Sequence, residues 1–139
     1  LSEKFPEHAL AFKANEAQLL KELSSLDKQL KYTLSKARGR ILLVSHPSFG
    51  HFCRDYSLEQ LSIEHEGKEP LPKHLESLLH RVEKSKNQLV LISLPQHNNK
   101  GLEVIAERFR LPMHEIDPYT HDYFSMMHTL AEWVTHDHN

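Results

Sequence analysis

The stretch "ILLVSHPSFGHF", Ile41 to Phe52, decides how the rest of the chain is read. Its first four residues are leucine or β-branched, the pattern of a short buried strand. The apolar run stops at Ser45 and His46, and Pro47 biases His46 toward extended backbone and helps to aim its side chain. A polar, glycine-bearing turn follows. A histidine at the end of a strand has two readings. It can bond a nearby carbonyl, or it can act as a metal ligand or general base, because neutral imidazole binds zinc well at about 2.0–2.1 Å.

Upstream, Pro6 and Glu7 mark a helix start, and no glycine or further proline interrupts the chain before Lys36. Leu19, Leu20, Leu23, Leu26, Leu30 and Leu34 step by one, three and four, which makes a helical stripe. Such a helix is about 45 Å long, longer than a small domain is wide, so it is expected to reach beyond the body it packs on. A basic last turn (Lys36, Arg38) and Gly39 end it.

Downstream, strands and helices alternate. Strands are expected at Arg40 to Ser45, Leu61 to Glu64, Gln88 to Leu94 and Pro112 to Ile116. Helical segments are expected around Ser48 to Tyr56, Pro72 to Ser85, Gly101 to Phe109 and Tyr123 to Val134. The fold class is therefore α/β: a long N-terminal helix followed by a small doubly wound, four-stranded parallel sheet with helices on both faces. Ligands of such sheets sit beyond the carboxyl ends of the strands, at the topological switch point. His46 follows the first strand. Pro95, Gln96 and His97 follow the third, and Pro118 to Asp122 follow the fourth, so three polar loops are expected to converge on one edge.

Composition sets the outer limits. The chain has 139 residues, one domain's worth, with 39% hydrophobic and 26% charged residues. A formal charge of −2 leaves no basic surface for nucleic acid. The longest clean apolar run is four residues, against the roughly 18–20 of a membrane span. Cys53 is the single cysteine, which excludes an internal disulfide and a four-cysteine zinc site. Twelve histidines are many for this length, although most read as scattered surface residues. The chain opens on Leu1 with no visible signal peptide, so the expectation is that upstream sequence has been removed.

Other candidates weigh less than His46. His51 lies five residues on, a spacing that does not share a helical face with it. Asp122, beside His121, is either a solvated loop residue or a carboxylate completing a mixed His/Asp site. Asp117, before Pro118, reads as a turn cap, and His136 to Asn139 as a frayed tail. No GxSxG, P-loop, GxGxxG, HExxH or paired-carboxylate motif is present.

From "VSHPSFGHFCRDYSLEQLSI" onward, the chain resembles the zinc/manganese-specific solute-binding proteins of bacterial ABC importers (cluster A-I). Their second lobe carries a strand, Ser-His, Phe-Gly, aromatic residues and a Tyr-x-Leu turn. Ser45, His46, Phe49, Gly50, Phe52, Tyr56 and Leu58 stand in those places. "FPEHALAFKANEAQLLKELSSLDKQL" is similar to the family's backbone helix, and "EGKEPLPKHLESLL" to its proline-led helix. "SLPQHNNKGLEVIAERFRLPMHEIDPYTHDY" is similar to its Pro-Gln, helix and Asp-Pro segments.

The resemblance implies that residues 1–38 are the interlobe helix and 39–139 the C-terminal α/β metal-binding lobe. It places His46 on the lobe's metal-ligand position and Asp122 near a carboxylate position used by some members. His51 departs from a usual aromatic. The implied cargo is Zn2+, with Mn2+ or Fe2+ as alternatives, held by a site that is incomplete in this chain because two further histidines belong to an absent N-terminal lobe. The implied function is not enzymatic: capture of a transition metal outside the cytoplasm, periplasmic or extracellular and membrane-anchored, and delivery to an ABC permease. An alternative is a free-standing small α/β enzyme or nucleotide-binding module with flavodoxin-like topology, which lacks a phosphate-cradling glycine loop. A third is an interaction module that self-associates through the exposed long helix.

Overall fold

In the computed structural model, which describes residues 1–64 and 72–136, Pro6–His8 forms a 3-10 turn and the first helix, α1, runs Ala9–Leu34. Leu26, Leu30 and Leu34 repeat every four residues and are almost fully buried. The stripe does not stay buried along the whole helix. Leu20 is 60% exposed and Leu10 is 86% exposed, so the N-terminal half of α1 overhangs the body as its length requires. The helix gives way to a 3-10 turn, Ser35–Ala37. Gly39 then takes φ +78°, a left-handed value that suits glycine, and donates its N–H to the Ser57 carbonyl at 2.9 Å.

Four strands follow, all parallel: β1 (Ile41–Val44), β2 (Glu59–Ser62), β3 (Leu89–Ser93) and β4 (Met113–Glu115). Their order is β2-β1-β3-β4. The connecting helices are α2 (Gly50–Asp55), α3 (Pro72–Lys84) and α4 (Lys100–Phe109), and α5 (Tyr123–His136) closes the chain. The expected α/β architecture is the one observed. Asp137 to Asn139, the expected frayed tail beyond His136, lie outside the described residues.

Strand pleating divides the core. Leu42, Val44, Val90 and Ile92 point to one face, where Leu26, Leu30 and Leu34 of α1, Phe52 and Cys53 of α2 and Leu130 and Val134 of α5 cover them. Ile41, Leu43, Leu89 and Leu91 point to the other, against Val82 of α3 and Leu102 and Ile105 of α4. Both faces of β1 and β3 are therefore dry, which is why these strands read as unbroken apolar runs rather than alternating ones. Arg40 donates from Nη1 to the Val134 carbonyl at 2.5 Å, tying the entry of β1 to the last turn of α5.

β2 starts two residues earlier than the expected Leu61 to Glu64. Its ladder with β1 pairs Ile41 with Glu59 and Val44 with Ser62. At a sheet edge the backbone ladder sets the bounds, and Glu59 and Gln60 remain half-exposed there. The chain leaves β1 toward β2 on one side and β3 toward β4 on the other. The crevice between the ends of β1 and β3 is thus the switch point.

Candidate metal centre

Three donor side chains meet at that crevice: His46 beyond β1, Glu64 beyond β2 and His97 beyond β3. Each lies within four residues of its strand's end, and each loop is pinned by backbone bonds. Ser48 donates to the His46 carbonyl at 2.8 Å, and the Phe49 N–H donates to Gln60 Oε1 at 2.6 Å, which ties the His46 loop to β2. The Glu64 N–H extends the ladder by donating to the Ser45 carbonyl at 3.1 Å, so Glu64 stands beside His46 for the same reason that β2 stands beside β1. His97 closes a turn, its N–H donating to Leu94 at 3.1 Å. Asn99 braces that turn from both sides. Its Nδ2 donates to the Leu94 carbonyl at 3.0 Å, and its Oδ1 accepts the Leu94 N–H at 3.3 Å.

The side chains form one group. His46 Nδ1 lies 2.6 Å from Glu64 Oε2, and His97 Nδ1 lies 3.4 Å from Glu64 Oε1. The two imidazoles are stacked, with centroids 4.1 Å apart and planes 12° from parallel. Glu64 is the most enclosed, its side chain 18% exposed, against 24% for His97 and 36% for His46. One ligand atom from each residue lies within 4.8 Å of the others. Two imidazoles and a carboxylate are a donor set that suits Zn2+, whose N and O ligands stand at about 2.0–2.2 Å.

The other sequence candidates fall elsewhere. The exposed Asp122 caps α5. Its Oδ1 accepts the Ser125 N–H at 3.1 Å, and the Ser125 hydroxyl and N–H hold its carboxyl below the usual carboxylate range. It is not one of the three grouped donors. His51 is exposed on α2 and lines a separate cavity of about 320 Å³ with Phe52, Asp55, Tyr123 and Met126. Asp117 binds its own turn, accepting the Tyr119 N–H at 2.9 Å and Gln96 Nε2 at 2.8 Å. The Cys53 thiol is buried, and burial followed by the charge of Glu59 pushes its pKa up to about 12, so it stays protonated and unreactive.

Sequence reasoning had not singled out Glu64 or His97 as donors. His97 stood in one of the three converging loops, so the strand-end rule could have nominated it. Glu64 could be found only through the register that sets β2 against β1.

A long helix followed by a four-stranded parallel sheet of this order, with donors at its switch point, is the α/β fold shared with the zinc-uptake solute-binding proteins. The chain belongs to the ZnuA family, zinc-uptake complex component A, periplasmic, which it matches over residues 1–135. A protein of Chlamydia trachomatis serovar D, named as a candidate metal-binding protein, is 28% identical over 131 residues, 94% of this chain and 48% of that protein. The zinc-binding protein AdcA of Streptococcus pyogenes serotype M3 is 41% identical over 63 residues, 45% of this chain and 12% of AdcA. A crystal structure of ZnuA superposes with a TM-score of 0.91 at 29% identity, covering 99% of this chain and 52% of that one. The chain thus spans about half the length of the Chlamydia protein and of the ZnuA structure that it matches.

Proposed function

We propose that the chain is the metal-binding lobe of an extracytoplasmic solute-binding protein, periplasmic or extracellular, that captures Zn2+ and hands it to an ABC permease. Residues 1–38 serve as the interlobe helix and residues 39–139 as the lobe. The observation that carries this reading is His46, a half-exposed imidazole at the switch point of a ZnuA-family lobe, grouped with Glu64 and His97. The similarity to the zinc-binding AdcA and to a ZnuA structure with zinc bound supports zinc as the cargo. So does the donor chemistry, because imidazole suits zinc whereas manganese favours oxygen-rich sites; Mn2+ and Fe2+ remain the alternatives. The site is incomplete in this chain and is finished by donors from a second lobe. The chain catalyses no reaction, and the free-standing nucleotide-binding alternative has no glycine loop to hold a phosphate.

Calorimetric titration of the chain with zinc chloride tests the reading. The expected result is binding in the micromolar range that weakens at least tenfold in His46→Ala. Zinc affinity unchanged in that variant would overturn it.

A further inference from the structure

We propose that this lobe contributes two zinc ligands, His46 and His97, both through Nε2, and that Glu64 is a shared positioning residue rather than a ligand. The proposal rests on the metal-capture reading and adds to it the donor atoms and the source of selectivity.

The geometry singles out the nitrogen. His46 Nδ1 and Glu64 Oε2 stand 2.6 Å apart, within hydrogen-bond distance, and a carboxylate offers only acceptors, which assigns the proton to Nδ1. A neutral imidazole carries a single N–H, so its lone pair then sits on Nε2. The two nitrogens of the ring flank Cε1, so a ring that offers Nδ1 to a carboxylate directs Nε2 away from it. His97 is disposed alike. Its Nδ1 lies 3.4 Å from the other oxygen of the same carboxylate, and its ring lies nearly parallel to that of His46. One carboxylate therefore faces the Nδ1 edges of two stacked rings.

Burial runs the same way. Glu64 is the least exposed of the three and the histidines are more open, so the carboxylate forms the floor and the imidazoles the rim. An ion arriving from solvent meets nitrogen first. Ligating histidines commonly donate their other N–H to a carboxylate, which fixes the tautomer and raises ligand basicity. Here one carboxylate serves two rings. The ring planes lie 12° from parallel, so the rings would have to tilt for both Nε2 atoms to hold one ion.

The consequence is selectivity. A second imidazole from the same lobe shifts the donor set toward nitrogen and favours zinc over manganese. His97 is thus the specificity-determining residue and Glu64 sets its orientation together with that of His46.

The test uses the chain labelled with 15N at histidine, in long-range proton–nitrogen correlation spectra recorded without metal and with one equivalent of zinc chloride. The expected spectra show His46 and His97 protonated at Nδ1 in both states, with zinc shifting both Nε2 resonances. His97→Gln lowers zinc affinity at least tenfold and leaves manganese affinity within about twofold, so the zinc-to-manganese ratio falls. Glu64→Gln, whose amide oxygen can still accept one N–H, keeps the Nε2 pattern and weakens zinc binding by about 10–100-fold, the usual range for such partners. Zinc on either Nδ1, or a zinc affinity that survives His97→Gln, overturns the proposal while leaving metal capture by His46 intact. Zinc affinity unchanged in His46→Ala overturns the capture reading itself.

Discussion

Gly101 packs against Ile63 so closely that a methyl group added to it would stand 2.6 Å from Ile63 Cγ2. Gly101 belongs to the first turn of α4, and Ile63 is the buried residue immediately before Glu64. The approach of a helix to the sheet is thus set one residue away from a proposed metal-site side chain.

Gly101→Ala is expected to destabilise the protein by about 1–3 kcal/mol, the usual cost of an overpacked core. The gain of up to about 1 kcal/mol in helix propensity does not offset this, because Ile63 is buried and β-branched and yields little. Thermal unfolding reads the loss, and zinc titration reads a weakened site. Removing the obstructing side chain with Ile63→Ala should make the alanine at 101 less costly than it is in the parent, a non-additivity that a double-mutant cycle measures.

His46→Ala and Asp122→Asn separate the two metal-site candidates. The first should weaken zinc binding at least tenfold. The second should leave it within about twofold, since asparagine still caps a helix and Asp122 already accepts the Ser125 N–H at 3.1 Å. A loss of zinc affinity in Asp122→Asn would return that carboxylate to the ligand set.

Stability should decline on the alkaline side. Burial, then the charge of Glu59, pushes Cys53 up to about 12. Burial, then the hydrogen bond to Asp27, pushes Tyr56 up to about 12. Both groups keep their proton longer in the folded chain than in the unfolded one, whose pKa values are about 8.5 for Cys and 10 for Tyr. Above those values the unfolded state binds fewer protons, so unfolding becomes easier as pH rises toward 12. Denaturant titrations between pH 8 and pH 11 should show the fall. Cys53→Ala and Tyr56→Phe should each flatten it, whatever they do to stability at neutral pH.

Ser45→Ala is expected to be neutral or stabilising, by up to about 1 kcal/mol. Ser45 is fully buried, and its Oγ has no hydrogen-bond partner among the described residues. Removing an unsatisfied buried hydroxyl relieves its desolvation cost. A loss of several degrees in the unfolding midpoint would mean that the hydroxyl has a structural role.

The parts of this fold that were legible in the sequence are those governed by local period. The unbroken run Ile41–Val44 names a strand dry on both faces, and Leu26, Leu30 and Leu34 name a helix face. His46 stood out because the apolar run ends two residues before it, at Val44. β2 was misplaced by two residues because an edge strand obeys its neighbour's hydrogen bonds, and Glu59 and Gln60 carry no apolar signal. Glu64 escaped for a related reason. Its proximity to His46 is fixed by the pairing of Ser62 with Val44, a contact across 18 residues that no local window contains. His97 was visible as a loop residue, but its place beside His46 depends on the Leu94 to His97 turn and the brace from Asn99.

The uneven packing of α1 has a kinetic side. From Leu26 onward the helix lies on the core, and releasing its amides requires opening that core. Toward Leu10, Leu19 and Leu20 the side chains face solvent, and fraying costs little beyond the helix's own bonds. A single 26-residue helix should therefore exchange its backbone protons for deuterium on two separate timescales, with the break falling near the half-buried Leu23.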